Sequence, residues 1–278
     1  MEISAGVVKQ LREKTGVGMM ECKSALVEAK GDLAEAEKVL RKKGLSAAAN
    51  KAGRATGEGI IATQVDAGGG VAALLEMNCE TDFAARGADF QGLVQTALEA
   101  VVARAAATAG SSSDEASREA LLDAPGPDGR SLRQTIGEAV GKIGENMQLR
   151  RFVKFQRASD RSILASYIHT GGKIGVLVEA EAQPGATAPT DGLLRDLAMH
   201  IAAAAPRYVR RDEVSPKVLA DEQEIARDQA LKAGKPPQVV EKIVAGRIDK
   251  FLGEICLVDQ PFVKDPDKSI KQMLGEGM

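Results

Sequence analysis

The segment Asn78-Cys79-Glu80-Thr81-Asp82-Phe83 gathers a thiol, two carboxylates, a hydroxyl and an aromatic ring within six residues. Three kinds of chemistry can be asked of it. A thiolate nucleophile would need Cys79 brought to a base such as His169, with a carboxylate such as Asp82 to orient that base. His169 lies on a different strand, and nothing in the pattern demands the contact. A zinc site would need more histidine than His169 and His200, the two in the chain. Nucleotide phosphates would need a Gly-rich loop followed by Lys-Ser/Thr, whereas Gly68-Gly69-Gly70 sits in a hairpin turn. These residues therefore predict no covalent chemistry, no bound metal and no cofactor. The ring stands apart. The chain holds six Phe, two Tyr and no Trp, and Phe83 ends a polar segment that follows directly on an apolar run, Val71 to Met77. Either it folds back onto the local core, or it is an aromatic anchor beside a carboxylate, offered to a partner's pocket.

The elements that must hold this segment belong to an ordinary globular chain. It has 278 residues, 44% hydrophobic and 27% charged, with net charge −2, enough for one large or two to three small domains. That charge argues against direct binding to nucleic acid through bulk phosphate neutralisation. No apolar run approaches the roughly 20 residues of a membrane helix. The N-terminus lacks a signal-peptide pattern. Three scattered cysteines, Cys22, Cys79 and Cys256, read as reduced thiols in a cytoplasmic protein. Residues 1–54 are the basic part, with eleven Lys/Arg against seven Asp/Glu.

Residues 1–54 read as a three-helix module. Ile3, Val7 and Leu11 recur at helical spacing until Gly16 and Gly18. A second helix runs from Met19 to Lys30 and stops at Gly31. Asp32 with Glu35 starts a third, carrying Leu33, Ala36, Val39 and Leu40. Lys42 to Gly53 reads as a solvated helical tail and linker.

An internal repeat follows. Gly59–Glu76 aligns without gaps on Ser162–Glu179, at an offset of 103 residues. Each copy is two β-rich runs around a Gly-Gly turn that needs positive φ. An Ala/Leu-rich helix comes after each: Phe90 to Ala107, and Gly192 to Ala205. The expected class is α+β, with a core of two related β-hairpin/helix subdomains and antiparallel sheets at 55–140 and 141–206. Ser131 to Ile143 reads as a helix. Met147 to Phe155 reads as a strand expected to join the second sheet. Residues 207–253 read as an antiparallel helical hairpin, with Val218, Leu219, Ile225 and Leu231 as its sparse apolar contacts. It either projects toward a neighbour or packs on its own domain. Residues 254–278 return to the core.

Val8-Lys-Gln-Leu-Arg-Glu-Lys-Thr-Gly-Val-Gly-Met-Met-Glu-Cys-Lys23 resembles the N-terminal signature of the bacterial elongation factor Ts family. So do Asn78 to Phe83, Lys142-Ile-Gly-Glu-Asn146, Met199-His-Ile-Ala with Pro206, Gly246-Arg247 and Gln260-Pro-Phe262, in the family's order. The resemblance implies a ubiquitin-associated-like (UBA-like) N-terminal domain, a core of two related subdomains and a protruding helical hairpin. It implies a guanine-nucleotide exchange factor acting on the GTPase domain of elongation factor Tu in protein biosynthesis, with no enzyme activity of its own. On the matching positions, Thr81, Asp82, Phe83, Ala84 and His169 would act near the partner's magnesium site. Leu11, Met19 and Met20 would dock the N-terminal domain, with the module's own core as the other reading of Leu11. The hairpin could support a homodimer or a 2:2 complex.

Two departures bear on this. Ala84 stands where the family often has a larger β-branched residue, which shortens the apolar wedge. The sequence stops at Met278, where many relatives continue through another strand and helix, so a smaller contact area is expected. The alternatives are a non-exchanging interaction protein, which would not need Asp82-Phe83, and a thiol enzyme centred on Cys79.

Overall fold

Ser4 and Asp32 open two of the first three helices by accepting hydrogen bonds from backbone amides three residues on, as N-caps do. The resulting helices are α1 (Ala5–Thr15), α2 (Met19–Glu28) and α3 (Leu33–Lys51). They close on Val8, Leu11, Cys22, Ala25, Leu26, Ala36 and Leu40. The structure is a computed structural model and describes residues 3–104, 114–183, 190–234 and 236–277.

Next come β1 (Glu58–Val65), β2 (Val71–Cys79), the short α4 (Asp82–Arg86), α5 (Ala88–Ala103), α6 (Glu115–Asp123), α7 (Leu132–Ile143) and β3 (Met147–Gln156). Ser131 and Gln134 form a capping box at the start of α7. The predicted helix to Ala107 ends at Ala103 among the described residues, and 105–107 lie outside them. The strands make one antiparallel sheet in the order β1-β2-β3. Here the expectation fails for β3, which pairs along β2 from Val71↔Gln156 to Cys79↔Met147 and so belongs to the first sheet. Alternation marks a strand and does not name its partner. Met77, Cys79, Phe90, Ala97, Val101 and Val140 lie fully buried in the core between this sheet and its helices.

The tail of α3 also departs from expectation. It is helical, but solvated on one side only. Gly44 is buried against α7, where an added Cβ would stand 2.9 Å from the carbonyl oxygen of Gly137. Glycine here permits a backbone approach that any side chain would block.

β4 (Ser162–Ile168) and β5 (Gly175–Glu181) form a two-stranded sheet. The chain divides into two bodies: residues 1–158 with the hairpin tip 168–177, and residues 159–167 with 178–278. The second body holds α8 (Asp191–Ala204), α9 (Pro216–Lys232), α10 (Pro237–Ile255), the short strands β6 (Pro261–Phe262) and β7 (Asp265–Ser269), and α11 (Ile270–Gly277). α9 and α10 form the expected helical hairpin, closed by Ala226, Ala230, Val240 and Val244. Two of its expected contacts are corrected, since Ile225 and Leu231 are both half exposed and the smaller alanines face the partner helix. Val218 and Leu219 pack instead at its base, with Val214, Ile255 and Cys256. Near by, His200 is buried, its Nε2 2.9 Å from Gln260 Oε1 and its Nδ1 accepting from the amide of Val263. The amide donation to Nδ1 leaves the proton on Nε2. The chain is thus a mixed α+β fold with small antiparallel sheets.

Candidate functional site

Strand β2 delivers the candidate segment. Its last residue, Cys79, is fully buried, and the thiol donates to the carbonyl of Thr81 at 3.2 Å. Burial pushes this thiol up to about 11, with the nearby Glu145 carboxylate adding to the rise. A nucleophilic cysteine needs the opposite shift and an accessible sulfur, so Cys79 is a structural thiol. Among the described residues, no cluster of three His, Cys, Asp or Glu side chains could hold a metal ion.

Thr81 then turns the chain into α4. Its hydroxyl accepts from the amide of Ala84 at 3.2 Å and donates to Glu145 Oε1 at 2.6 Å. Glu145 Oε2 accepts from the amides of Glu80 at 3.1 Å and Thr81 at 3.0 Å. In return Glu80 Oε1 accepts from the amide of Asn146 at 2.6 Å. The two segments thus exchange carboxylate-to-backbone bonds. Asn78 adds a hydrogen bond from its side-chain amide to the carbonyl of Glu58.

α4 has two faces. Ala84 and Ala85 point inward and are buried with Phe90 in the core. Ala84 is therefore the helix's foot, and its small side chain takes nothing from the exposed surface. Phe83 points outward and is 84% exposed. Beside it, Asp82 pairs with Arg86 at 2.9 Å, one helical turn on, an arrangement that suits both ends of a short helix dipole. The fold-back reading of Phe83 is excluded by this exposure. Leaving a phenyl ring in water forgoes about 1.5–3 kcal/mol of burial.

His169 is placed in the β4–β5 turn, one residue past the end of β4, and is exposed. The turn reaches the sheet next to the candidate segment. Gly172 O accepts from the amide of Ile61 at 2.7 Å, and Lys173 bonds both the Glu58 carboxylate and the Gly59 carbonyl. Glu58 is the register partner of Cys79. The same body therefore carries the tip with His169 and the loop with Phe83, linked through Lys173, Glu58 and Cys79.

The three residues singled out in the helical module separate. Leu11 is fully buried in the module's own core and offers no surface. Met19 and Met20 open α2 and are 43% and 71% exposed. Glu145 and Asn146 were legible only as part of a family-like motif, since their hydrogen-bond partners lie 64 to 94 residues away.

The fold displays an aromatic side chain on a fixed helix start, in a mixed α+β chain whose described helices include none long and apolar enough to cross a membrane. Residues 80–277 match the family model described as elongation factor TS. The elongation factor Ts of Syntrophotalea carbinolica is 48% identical over 276 residues, covering 99% of this chain and 86% of that relative. Those of Trichlorobacter lovleyi and Clostridioides difficile are each 43% identical with the same coverage. The chain belongs to the elongation factor Ts family, the elongation factors of protein biosynthesis that carry guanine-nucleotide exchange.

Proposed function

We propose that this protein binds elongation factor Tu in its GDP form and promotes GDP release by inserting Phe83, guided by Asp82, near the partner's magnesium site. The observation that carries the reading is the 84% exposure of Phe83 on a helix start held from behind by Glu145. A protein gains nothing for its own core from a ring so placed, whereas a partner's pocket can bury it. GDP is held by a phosphate loop and by a metal that neutralises phosphate charge. A wedge that shifts the helices carrying those elements weakens both. Linkage makes the effect reciprocal: the factor weakens GDP as much as GDP weakens the factor. GTP then refills the site and expels the factor, with no bond made or broken.

In this reading Thr81 and Ala84 fix the helix that carries the ring, and His169 contributes from the neighbouring hairpin tip. Met19 and Met20 dock the helical module, and their flexible thioethers suit an adaptable groove. Leu11 supports docking from within, by holding α1 against α2. The helical hairpin and a dimeric or 2:2 assembly form a separate proposal, for which the half-exposed Ile225 and Leu231 are the supporting observation. Cytoplasmic residence and the absence of direct nucleic-acid contact follow from the same reading.

The test is release of a fluorescent GDP from purified elongation factor Tu with catalytic amounts of this protein. Acceleration that Phe83→Ala removes supports wedging. A stable complex that leaves release unchanged makes the protein a binding module only.

A further inference from the structure

We infer that Glu145 and Asn146 are positioning residues for Phe83, and that through them the display of the ring is tied to the end of α3. The inference rests on the wedge reading of Phe83.

The argument starts from the ring's isolation. At 84% exposed, Phe83 has almost no packing of its own, so its place is set by how α4 begins. That beginning depends on one hydroxyl. Thr81 Oγ has a single proton, which goes to Glu145 Oε1, and this leaves a lone pair aimed at the Ala84 amide. Without the carboxylate the hydroxyl is free to rotate, and the amides of Glu80 and Thr81 lose their acceptor as well. An ionised acceptor makes all three bonds stronger than neutral ones.

Asn146 faces the other way. It is 5% exposed, and its side-chain amide donates to the carbonyls of Ala52 at 3.4 Å and Arg54 at 2.9 Å, just beyond α3. Lys51, the last residue of α3, donates to the carbonyl of Gly144 at 2.7 Å. Arg54 also reaches the Glu80 oxygen that accepts from Asn146, at 3.5 Å. Residues 144–146 therefore form a bracket with two grips. One holds the start of α4, and the other holds the C-terminal end of the helix that leaves the three-helix module. All of these groups lie in one body of the chain. A hydrogen-bonded chain of this kind transmits placement because its members share acceptors, and the buried Asn146 and the half-buried Glu80 amide are costly to leave without one.

The test uses the full-length protein and release of fluorescent GDP from elongation factor Tu, measured as maximal rate at saturating factor and as half-saturating concentration. Glu145→Ala is expected to lower the maximal rate roughly tenfold, the scale of a lost helix cap, with half-saturation moved less than about threefold. Thr81→Val should reproduce the loss and Thr81→Ser should restore the rate, and this pair carries the inference if Glu145→Ala does not fold. On a Phe83→Ala background, Glu145→Ala should add nothing, because a positioning residue acts only through what it positions. A rate within about twofold of wild type for both Glu145→Ala and Thr81→Val overturns the inference, as does a loss that multiplies in the double variant. If Phe83→Ala itself keeps the full maximal rate, the wedge reading fails first and the inference falls with it. If Phe83→Ala loses the rate and Glu145→Ala keeps it, the positioning role alone is wrong.

Discussion

In the β1–β2 turn the amide of Asp66 donates to Val71 O and that of Gly69 to Asp66 O, each at 2.9 Å. In the β4–β5 turn His169 donates to Ile174 O and Gly172 to His169 O, again at 2.9 Å. The second glycine of each pair holds nearly the same left-handed φ, 64° at Gly69 and 68° at Gly172. Asp and His thus occupy one position of one backbone device. The copies end their second strands within one aligned residue of each other, β5 at Glu181 and β2 at Cys79, and β2 leads into the bracketed start of α4. Gly59 at the head of the first copy has φ 139°, while its counterpart is Ser162, a buried residue whose hydroxyl finds no partner. The turn's backbone is set by its hydrogen bonds and glycine, and the copies differ in the side chain the turn carries and in the residue that heads each copy.

That contrast can be broken in four places. The largest effect expected is on exchange: Phe83→Ala should cut GDP release from elongation factor Tu by roughly ten- to a hundredfold, the worth of one buried ring. Its thermal melt should superpose on wild type, because the ring, 84% exposed, packs little against the described residues. Next, Gly59→Ser copies the second hairpin into the first and should destabilise by roughly 3 kcal/mol in urea unfolding. Its Cβ would collide with the carbonyl of Met77 and lie 2.7 Å from the Asn78 Cα, in a φ region that L residues rarely adopt. An unchanged urea midpoint would mean that the two copies are interchangeable at this position.

The third concerns Cys79. Its folded pKa, about 11, lies above the ordinary thiol value of 9.0. Between the two, the native state keeps a proton that the unfolded state releases, so stability from this group is full below pH 9 and is lost as pH rises through about 11. Unfolding of wild type against Cys79→Ala across that window should show the difference shrinking toward alkaline pH, and a constant difference would contradict the burial argument. The smallest effect is Ser162→Ala, which removes an unpaired buried hydroxyl and should raise stability by up to about 1 kcal/mol, read from the same urea titration.

Much of the scaffold was legible because it is local. The Gly-Gly turns of the repeat and the capping residue Asp32 each act within a few positions, and the hairpins and the third helix follow from them. What escaped is long-range or short. β3 alternates well enough to be a strand, but its pairing with β2 across some seventy residues is fixed by packing. α4, at five residues, is too brief for any helical period to register. The contact of Gly44 with Gly137 and Gly141 hides in residues that usually read as breaks. For the site, the oddity of Phe83 was visible as an aromatic without an evident home, but its exposure was one of two open readings. Glu145 was visible only as part of the family-like motif Lys142 to Asn146, because the donors that make it a bracket are supplied by residues far earlier in the chain.

The span of that bracket has a consequence for how the protein is made. Glu145 bonds to Thr81 across 64 residues of sequence. A nascent chain that has emerged through Arg130 already carries β1, β2 and Phe83 but lacks the carboxylate and the asparagine that hold them. At bacterial-type elongation rates of roughly 5–20 residues per second, about 3–13 s separate the synthesis of the ring from that of its support. During that interval a growing chain exposes an apolar side chain on an unsecured loop, and only the finished first body displays it on a fixed one.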